Sequence, residues 1–506
     1  MNILDCTIRD GGYYTNWDFD RKLVLDYCKL VKSLPIDIIE IGYRGNKKKE
    51  SYFGEYYFLT INNLKKIKSA IGKTKKIAIM IDLKDWKNIS DLKKNLSECR
   101  KIVEIVRFAV DPKKIDKAKN FLKVTKELGF KVAINLMYSH LLIEKDKYLK
   151  KVISLKKYFD VIYIVDSYGT LITGDVQKSI QKIKILDSNI PIGFHAHNNL
   201  EMALSNTLEA INNKINYIDC TLTGMGRGAG NLKTELLLTY LNLKNKKIKI
   251  NDYKNLANVV DQFEKIKLKQ KWGTSLPYMI SGSTASPQAK VMQLIQSKRY
   301  DLTDIVNFLS HEKKNQDNIQ KNTTTKKNNV LIIGGGSSVI KNLSYIKDYL
   351  SKNPKTFLIF SSSRNLSAFT KIKNKALVCI TGNEARKIHK KYFLNNKFIV
   401  NNIIDYKTIL PNKLNNFYKL KKKYISENLL NSPLSISLST ALEIKAKKIF
   451  LIGFDGYKRS DKINDYNLYN ENQKILNFFK KKLNLIFFTE TSYENVKKSS
   501  IFKYLS

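Results

Sequence analysis

The chain has 506 residues, 43% of them hydrophobic, and no apolar run long enough to cross a bilayer, which predicts several folded units and no membrane span. Its formal charge of +45 comes from 90 Lys and Arg against 45 Asp and Glu; the excess is mostly lysine spread along the whole chain, without a basic cluster or a nucleic-acid motif, so a nucleic-acid partner is not expected. Five scattered cysteines with no CxxC, and a start, MNILDCTIRD, without a basic-then-apolar signal, predict a reducing, cytoplasmic setting.

Along the N-terminal part, short β-rich apolar runs alternate with lysine-studded segments of helical period. The runs are NILDCTIR (2–9), IDIIEIGY (36–43), KIAIMI (76–81), EIVRFAV (104–110), KVAINLM (131–137), VIYIVDS (161–167), PIGFHAH (191–197) and NYIDCTL (216–222). Eight strand–helix repeats predict a (β/α)8 barrel over residues 1–250. Residues 251–310 read as a helical extension of that barrel. The stretch 311–329, HEKKNQDNIQKNTTTKKNN, is too polar for a core and reads as a linker. Beyond it, NVLIIGG (329–335), TFLIFS (356–361), ALVCIT (376–381), KFIVNN (397–402), KIFLIGFD (448–455) and LIFFT (485–489) predict a second α/β domain over 330–506, an open doubly wound sheet.

Two of the five histidines, His195 and His197, stand one residue apart at the end of the seventh run. On a strand, residues two apart face the same side. HxH alone reads as two satisfied polar residues at a strand end. In a closed barrel, however, strands seven, eight and one are neighbours. The end of run one brings Arg9 and Asp10, and the loop after run eight, TGMGRGAGN, ends at Asn231. Asp10, His195, His197 and Asn231 therefore share one arc of the carboxyl-end rim, where barrel enzymes keep their sites. Two imidazoles, a carboxylate and an amide oxygen can hold a divalent metal with open positions. The loop glycines, Gly226 and Gly228 among them, would let the backbone approach a ligand.

The motifs LDCTIRDGGYYTNWDF, IEIGYR, VDSYGT, GFHAHNN and GMGRGAGN resemble, in order and spacing, the metal-dependent barrel family of 4-hydroxy-2-oxovalerate aldolases, isopropylmalate synthases and 3-hydroxy-3-methylglutaryl-CoA lyases, over about residues 1–290. The resemblance implies Mn²⁺ or Mg²⁺ on Asp10, His195 and His197, with Asn231 as a further ligand. It implies that Arg9 stabilises an enolate oxygen, and that the substrates are a 2-oxo acid and an aldehyde. Two departures stand out: Tyr13 replaces the aldolases' basic histidine, and Gly12-Tyr13 replaces the synthases' Glu-Gln. The base is left open among Tyr13, Glu40 and a water on the metal. WGTSLPYMISGSTASP (272–287) resembles the extension that reaches back over such sites, which makes Tyr278 a candidate pocket residue beside the plainer role of packing.

In the second domain VLIIGGGSSV (330–339) is a strand, a glycine turn and a helix start, a place that suits a phosphate but often marks only a tight turn. With SISLSTALEIKAKKIFLIGFDGY (435–457) it resembles bacterial motility-accessory and sialyltransferase-like glycosyltransferase domains. That resemblance implies Gly334, Gly336 and Ser337 at a nucleotide-sugar phosphate and Asp455 near the sugar or a metal; His389 reads as a surface residue. The expectation is a metal-dependent aldolase, in a monomer or an oligomer, fused to a nucleotide-sugar-binding domain and used in surface-sugar synthesis. The rivals are an acyl-CoA Claisen condensation and a glycan-assembly protein whose barrel only binds a metabolite.

Overall fold

The computed structural model describes residues 1–46, 53–140, 146–245, 249–296, 300–309, 319–388, 396–400, 408, 410, 416–426, 429–457 and 463–505. Two compact units emerge, Met1–Gln293 and Leu294–Ser506. In the first, the strands β1 (Asn2–Asp5), β2 (Ile38–Tyr43), β3 (Lys76–Ile81), β4 (Ile105–Val110), β5 (Lys131–Leu136), β6 (Val161–Val165), β7 (Ile192–His195) and β8 (Tyr217–Cys220) close into a barrel in chain order. All neighbours are parallel, and β8 closes on β1 with Asp5 beside Cys220. Strands buried on both faces favour apolar residues at most positions. That is why the runs read as continuous rather than alternating. The interior is filled by Leu4, Ile38, Ala78, Ile105, Ala133, Val161, Tyr163 and Tyr217.

The first run breaks earlier than expected. β1 stops at Asp5, whose carboxylate accepts from the Thr7 backbone N–H at 2.9 Å and the Thr7 hydroxyl at 2.5 Å, turning the chain into a helix, α1 (Thr7–Thr15). Two glycines inside a helix argue against it on propensity. They are glycine for space: a Cβ on Gly11 would stand 2.4 Å from the Met225 sulfur, and one on Gly12 2.1 Å from the Trp17 ring. Arg9, Asp10 and Tyr13 therefore sit on a helix, with Arg9 and Tyr13 four residues apart on one face.

After β8 and its loop come helices Ile250–Gln270, Leu276–Ser283 and Gln288–Gln296, and the second unit opens with helix Leu302–Leu309. The second unit carries a parallel sheet of β9 (Gln320–Lys321), β10 (Asn329–Ile333), β11 (Phe357–Phe360), β12 (Ala376–Cys379), β13 (Lys397–Val400), β14 (Phe417–Lys419), β15 (Lys448–Ile452), β16 (Leu485–Phe487) and β17 (Lys497–Lys498), in spatial order 17-16-15-10-11-12-13-14-9. Alternate residues of β10 enter different cores, Val330 and Ile332 one and Leu331 and Ile333 the other, so both faces are covered. The polar stretch 311–329 is not linker to its end. Ile319 and Asn322 are buried, and Gln320–Lys321 extends the sheet beside β14. The strands β9, β14 and β17, two or three residues each, lie outside the predicted runs, and β9 and β17 are exposed and lack the apolar content that marks a strand in sequence. No helix among the described residues is long and apolar enough to cross a membrane.

Candidate metal centre at the rim of the barrel

The carboxyl ends of β7, β8 and β1 bring the expected residues together. An isolated backbone bridge pairs His197 with Asn231, and the Asn198 N–H donates to the Gly230 carbonyl at 2.8 Å, so the glycine loop is laced to the end of β7. The two imidazole rings lie 5.0 Å apart, centroid to centroid. His195 Nε2 stands 3.4 Å from Asp10 Oδ2, and the Asn231 amide N–H donates to that same oxygen. All four side chains are buried.

The donor set fits a divalent cation. Asn231 gives its N–H to Asp10, which leaves its buried Oδ1 with no hydrogen-bond partner among the described residues. A buried amide oxygen without a donor is costly unless something else meets it. His197 Nδ1 lies 2.7 Å from the Asp166 carbonyl, a contact that fixes the proton on Nδ1 and leaves the Nε2 lone pair for a metal. Burial, helped by the neighbouring His195, lowers the His197 pKa to about 3, so the ring is neutral at physiological pH. Asp166 belongs to the VDSYGT motif, and its carboxylate accepts from the Thr170 and Leu171 N–H groups, which holds the loop that offers the carbonyl.

His195 behaves differently. Burial alone would lower its pKa, but bonds to Asp10 and Asp219 outweigh that and raise it above the ordinary 6.5. Its Nδ1 is 2.9 Å from Asp219 Oδ2. In the metal-free protein the proton on His195 therefore adds stability below the unfolded value, and that stability is lost as pH rises through the raised one. A metal must displace this proton, so affinity runs the other way. Apparent Mn²⁺ affinity is expected to fall about tenfold per pH unit below the raised pKa. Titration calorimetry at pH 8, 7 and 6 measures it, and a pH-independent affinity would show that His195 is no ligand. Asp10 stays ionised: the cost of burial is overcome by Arg9 and the two histidines, which hold it well below the usual carboxylate range.

Cys6 also comes close, for its sulfur, a carboxylate oxygen of Asp10 and a ring nitrogen of His195 all lie within 4.8 Å of one another. Burial pushes the thiol well above its ordinary pKa. A neutral thiol is a poor ligand for hard Mn²⁺ or Mg²⁺.

Behind the centre lies a chain of buried charges. Arg9 Nε donates to Glu40 Oε2 at 2.6 Å and Nη1 to Asp10 Oδ1 at 2.7 Å. Arg107, fully buried on β4, donates to the same Glu40 oxygen at 3.1 Å and to Asp219 Oδ2 at 2.6 Å, with its guanidinium 4.1 Å over the Tyr163 ring. Arg107, Asp219 and Asp166 were not singled out from the sequence. The signal was there, as lone charges inside EIVRFAV and NYIDCTL. Glu40, a candidate base from the sequence, is completely buried; its Oε2 takes both guanidinium groups and so holds Arg9 in place, while its Oε1 has no hydrogen-bond partner among the described residues.

Tyr13 stands at the mouth, its hydroxyl 3.0 Å from that of Tyr43 and its ring edge-on to Trp17. Gly226 and Gly228 serve packing: a Cβ on the first would fall 2.6 Å from the Asn231 side chain, and one on the second 2.3 Å from Gln288 Oε1 and 2.7 Å from the Tyr278 ring. Gly228 also needs its φ of +60°, a left-handed turn. Tyr278 is 4% exposed and packs on that loop as a wall residue. In the second unit Gly334, Gly336, Ser337 and Asp455 meet where β10 and β15 lie side by side, the switch point of the sheet. There the Asp455 carboxylate itself accepts from the Ser338 N–H at 3.0 Å and from the Ser338 hydroxyl, filling the place an anion would take. A Cβ on Gly336 would stand 2.6 Å from that carboxylate. His389 lies outside the described residues.

The N-terminal domain of a putative aldolase from Bacteroides vulgatus is 42% identical to this chain, covers 58% of it, is itself covered to 97%, and superposes with a TM-score of 0.55. The 4-hydroxy-2-oxovalerate aldolase of Carboxydothermus hydrogenoformans is 30% identical over 48% of this chain and 70% of its own length. That of Pelotomaculum thermopropionicum is 29% identical over 50% and 74%. The HMGL-like family pattern matches residues 1–261, which include Arg9, Asp10, Glu40, His195, His197 and Asn231, and the chain belongs to the HMGL-like family.

Proposed function

We propose that the barrel is a divalent-metal-dependent carbon–carbon lyase, an aldolase that acts through the enolate of a 2-oxo acid and releases or adds an aldehyde. The observation that carries this is the orphaned Asn231 Oδ1 beside Asp10, His195 and His197, next to an arginine locked by two carboxylates. Asp10, His195, His197 and Asn231 would hold Mn²⁺ or Mg²⁺, which when bound supplies Lewis-acid stabilisation of charge on a substrate oxygen. Arg9 does the rest of the electrostatic work. Its Nε and one terminal nitrogen are fixed on Glu40 and Asp10, which sets the plane of the guanidinium and leaves the other terminal nitrogen without a protein partner among the described residues. A donor fixed in advance needs no reorganisation when an oxyanion develops. Glu40 gives its Oε2 to Arg9 and Arg107, and proton transfer at the substrate hydroxyl is assigned here to Tyr13 or to water.

The test is turnover of 4-hydroxy-2-oxo acids by the full chain with Mn²⁺, followed as release of 2-oxo acid. Arg9→Lys should lower kcat by about 10² or more while changing KM only a few-fold, since lysine cannot replace the planar fork. A variant with full kcat would remove Arg9 from the chemistry.

For the second unit the corresponding proposal is a nucleotide-sugar site serving surface-sugar synthesis. Its support is the meeting of four expected residues at the switch point of a doubly wound sheet. Against it stands the Asp455 carboxylate on the Ser338 N–H. If the turn takes a phosphate, Asp455→Asn should tighten binding of UDP- or CMP-sugars by removing a like charge, as read by calorimetry. No binding to either protein would leave the turn a packing device.

A further inference from the structure

Three guanidinium groups gather around the centre. Arg9 is bonded to Asp10 and Glu40, and Arg107 to Glu40 and Asp219. Arg227 has no carboxylate within ion-pair distance among the described residues. Its guanidinium carbon lies 3.7 Å over the Tyr13 ring. It is partly buried, and its charge acts on Asp10 and His197, which places it beside the expected metal ligands. A ring face offsets only part of the cost of such a cation. The neighbouring loop is firm: the Tyr14 hydroxyl donates to the Gly228 carbonyl at 3.2 Å, and the Gly226 and Gly228 positions leave no room for side chains. Arg227 is thus held against Tyr13, by the ring contact and a side-chain hydrogen bond, and has no carboxylate within ion-pair distance among the described residues.

The hydroxyls beside it add to the pattern. Tyr13 and Tyr43 share one hydrogen bond, 3.0 Å long. Two hydroxyls have two protons, and one bond uses one of them, so the pair can donate the second to an acceptor. A guanidinium with its planar donor fork next to a free O–H matches a carboxylate or a phosphate better than any neutral group.

We propose that Arg227, with the Tyr13–Tyr43 pair, binds a second anionic group of the substrate, so that the barrel acts on 4-hydroxy-2-oxo acids whose far end carries a carboxylate or a phosphate. The 2-oxo acid end rests on the aldolase reading above; the anion site rests on Arg227 and the Tyr13–Tyr43 pair. Selectivity then comes from a charged far end as well as from the chelating near end.

Calorimetry on the Mn²⁺-loaded full chain tests this with 2-oxobutyrate, 2-oxoglutarate and 3-phosphonopyruvate, which differ in the far group. One of the two ligands with an anionic far group should bind at least about tenfold more tightly than 2-oxobutyrate, and which one does so tells carboxylate from phosphate. R227Q should abolish that preference and leave 2-oxobutyrate within about twofold. R227K, which keeps the charge without the fork, should retain part of it, and it serves in place of R227Q if the latter melts below the assay temperature. No preference in the parent chain, or a preference undiminished in both variants, overturns the proposal. Failure of the aldolase reading looks different: no 2-oxo acid of any kind binds. Succinate and inorganic phosphate, titrated without metal, then judge Arg227 by itself. Affinity lost in R227Q upholds the anion site, and equal affinity in both proteins overturns it.

Discussion

Replacing His195 by alanine is expected to lower Mn²⁺ affinity by at least about an order of magnitude and to abolish metal-dependent turnover. The barrel itself should survive. Asp219 keeps its 2.6 Å bond to Arg107, and Asp10 keeps Arg9 and Asn231. His197→Ala should give a comparable loss of affinity by a different route, because it also leaves the Asp166 carbonyl without its imidazole partner. Cys6→Ser separates two possible centres built on the same atoms. If the cation sits on Asp10, His195, His197 and Asn231, the serine variant binds Mn²⁺ within a few-fold of the parent. If it sits on the Cys6, Asp10 and His195 cluster, His197→Ala is tolerated and Cys6→Ser is not. Elemental analysis with titration calorimetry on all three variants decides. Unchanged binding in both histidine variants would remove the metal assignment altogether.

Much of this centre was legible in the sequence because its parts lie at strand ends. A run such as KIAIMI at 76–81 needs only its length and β-branched content, and β3 has those bounds. HxH at the end of a run and Arg-Asp at the end of another become neighbours as soon as the barrel closes. What the sequence hid has physical causes. α1 was concealed by Gly11 and Gly12, poor helix formers that are needed there because Met225 and Trp17 leave no room for a Cβ. Arg107 looked like a stray charge, because its partners Glu40 and Asp219 lie 67 and 112 residues away and nothing local shows which way a strand residue points. The glycine turn of the second unit had the pattern of a phosphate site, and only the fold reveals that Asp455, 117 residues from Ser338, already lies on its N–H. Periodicity reports elements, whereas pairing of buried charges is a long-range fact.

That pairing has the largest expected effect on stability. Arg107 is 0% exposed and bonded to Glu40, Asp219 and Asn135. Arg107→Met removes the cation and leaves two carboxylates in the barrel, each with one remaining charged or ionisable partner, Arg9 for Glu40 and His195 for Asp219. Breaking a buried pair from one side costs about 3–5 kcal/mol, and in a unit of this size that lowers Tm by on the order of 10 °C. The loss should depend on pH in a defined sense. In the parent, burial pushes the Asp219 pKa up, but Arg107 and His195 outweigh it and hold the value below 3.8, so its ionised form adds stability that persists until pH falls through the lowered value. In the variant burial is opposed by His195 alone, the carboxylate is penalised at neutral pH, and protonation relieves it. The gap in Tm between the two proteins should therefore narrow as pH falls from 7 to 4. Adding Glu40→Gln and Asp219→Asn to Arg107→Met should recover part of the stability, since no uncompensated charge then remains, yet it should not restore turnover, because Arg9 loses a carboxylate that fixes it and His195 loses its ionic partner. Calorimetric melts and kcat on the single and triple variants read both effects. A single variant that melts with the parent at pH 7 would mean that water, not Arg107, compensates these carboxylates, and the barrel interior would then have to be wetter than its packing of Tyr163, Val161 and Ile105 allows.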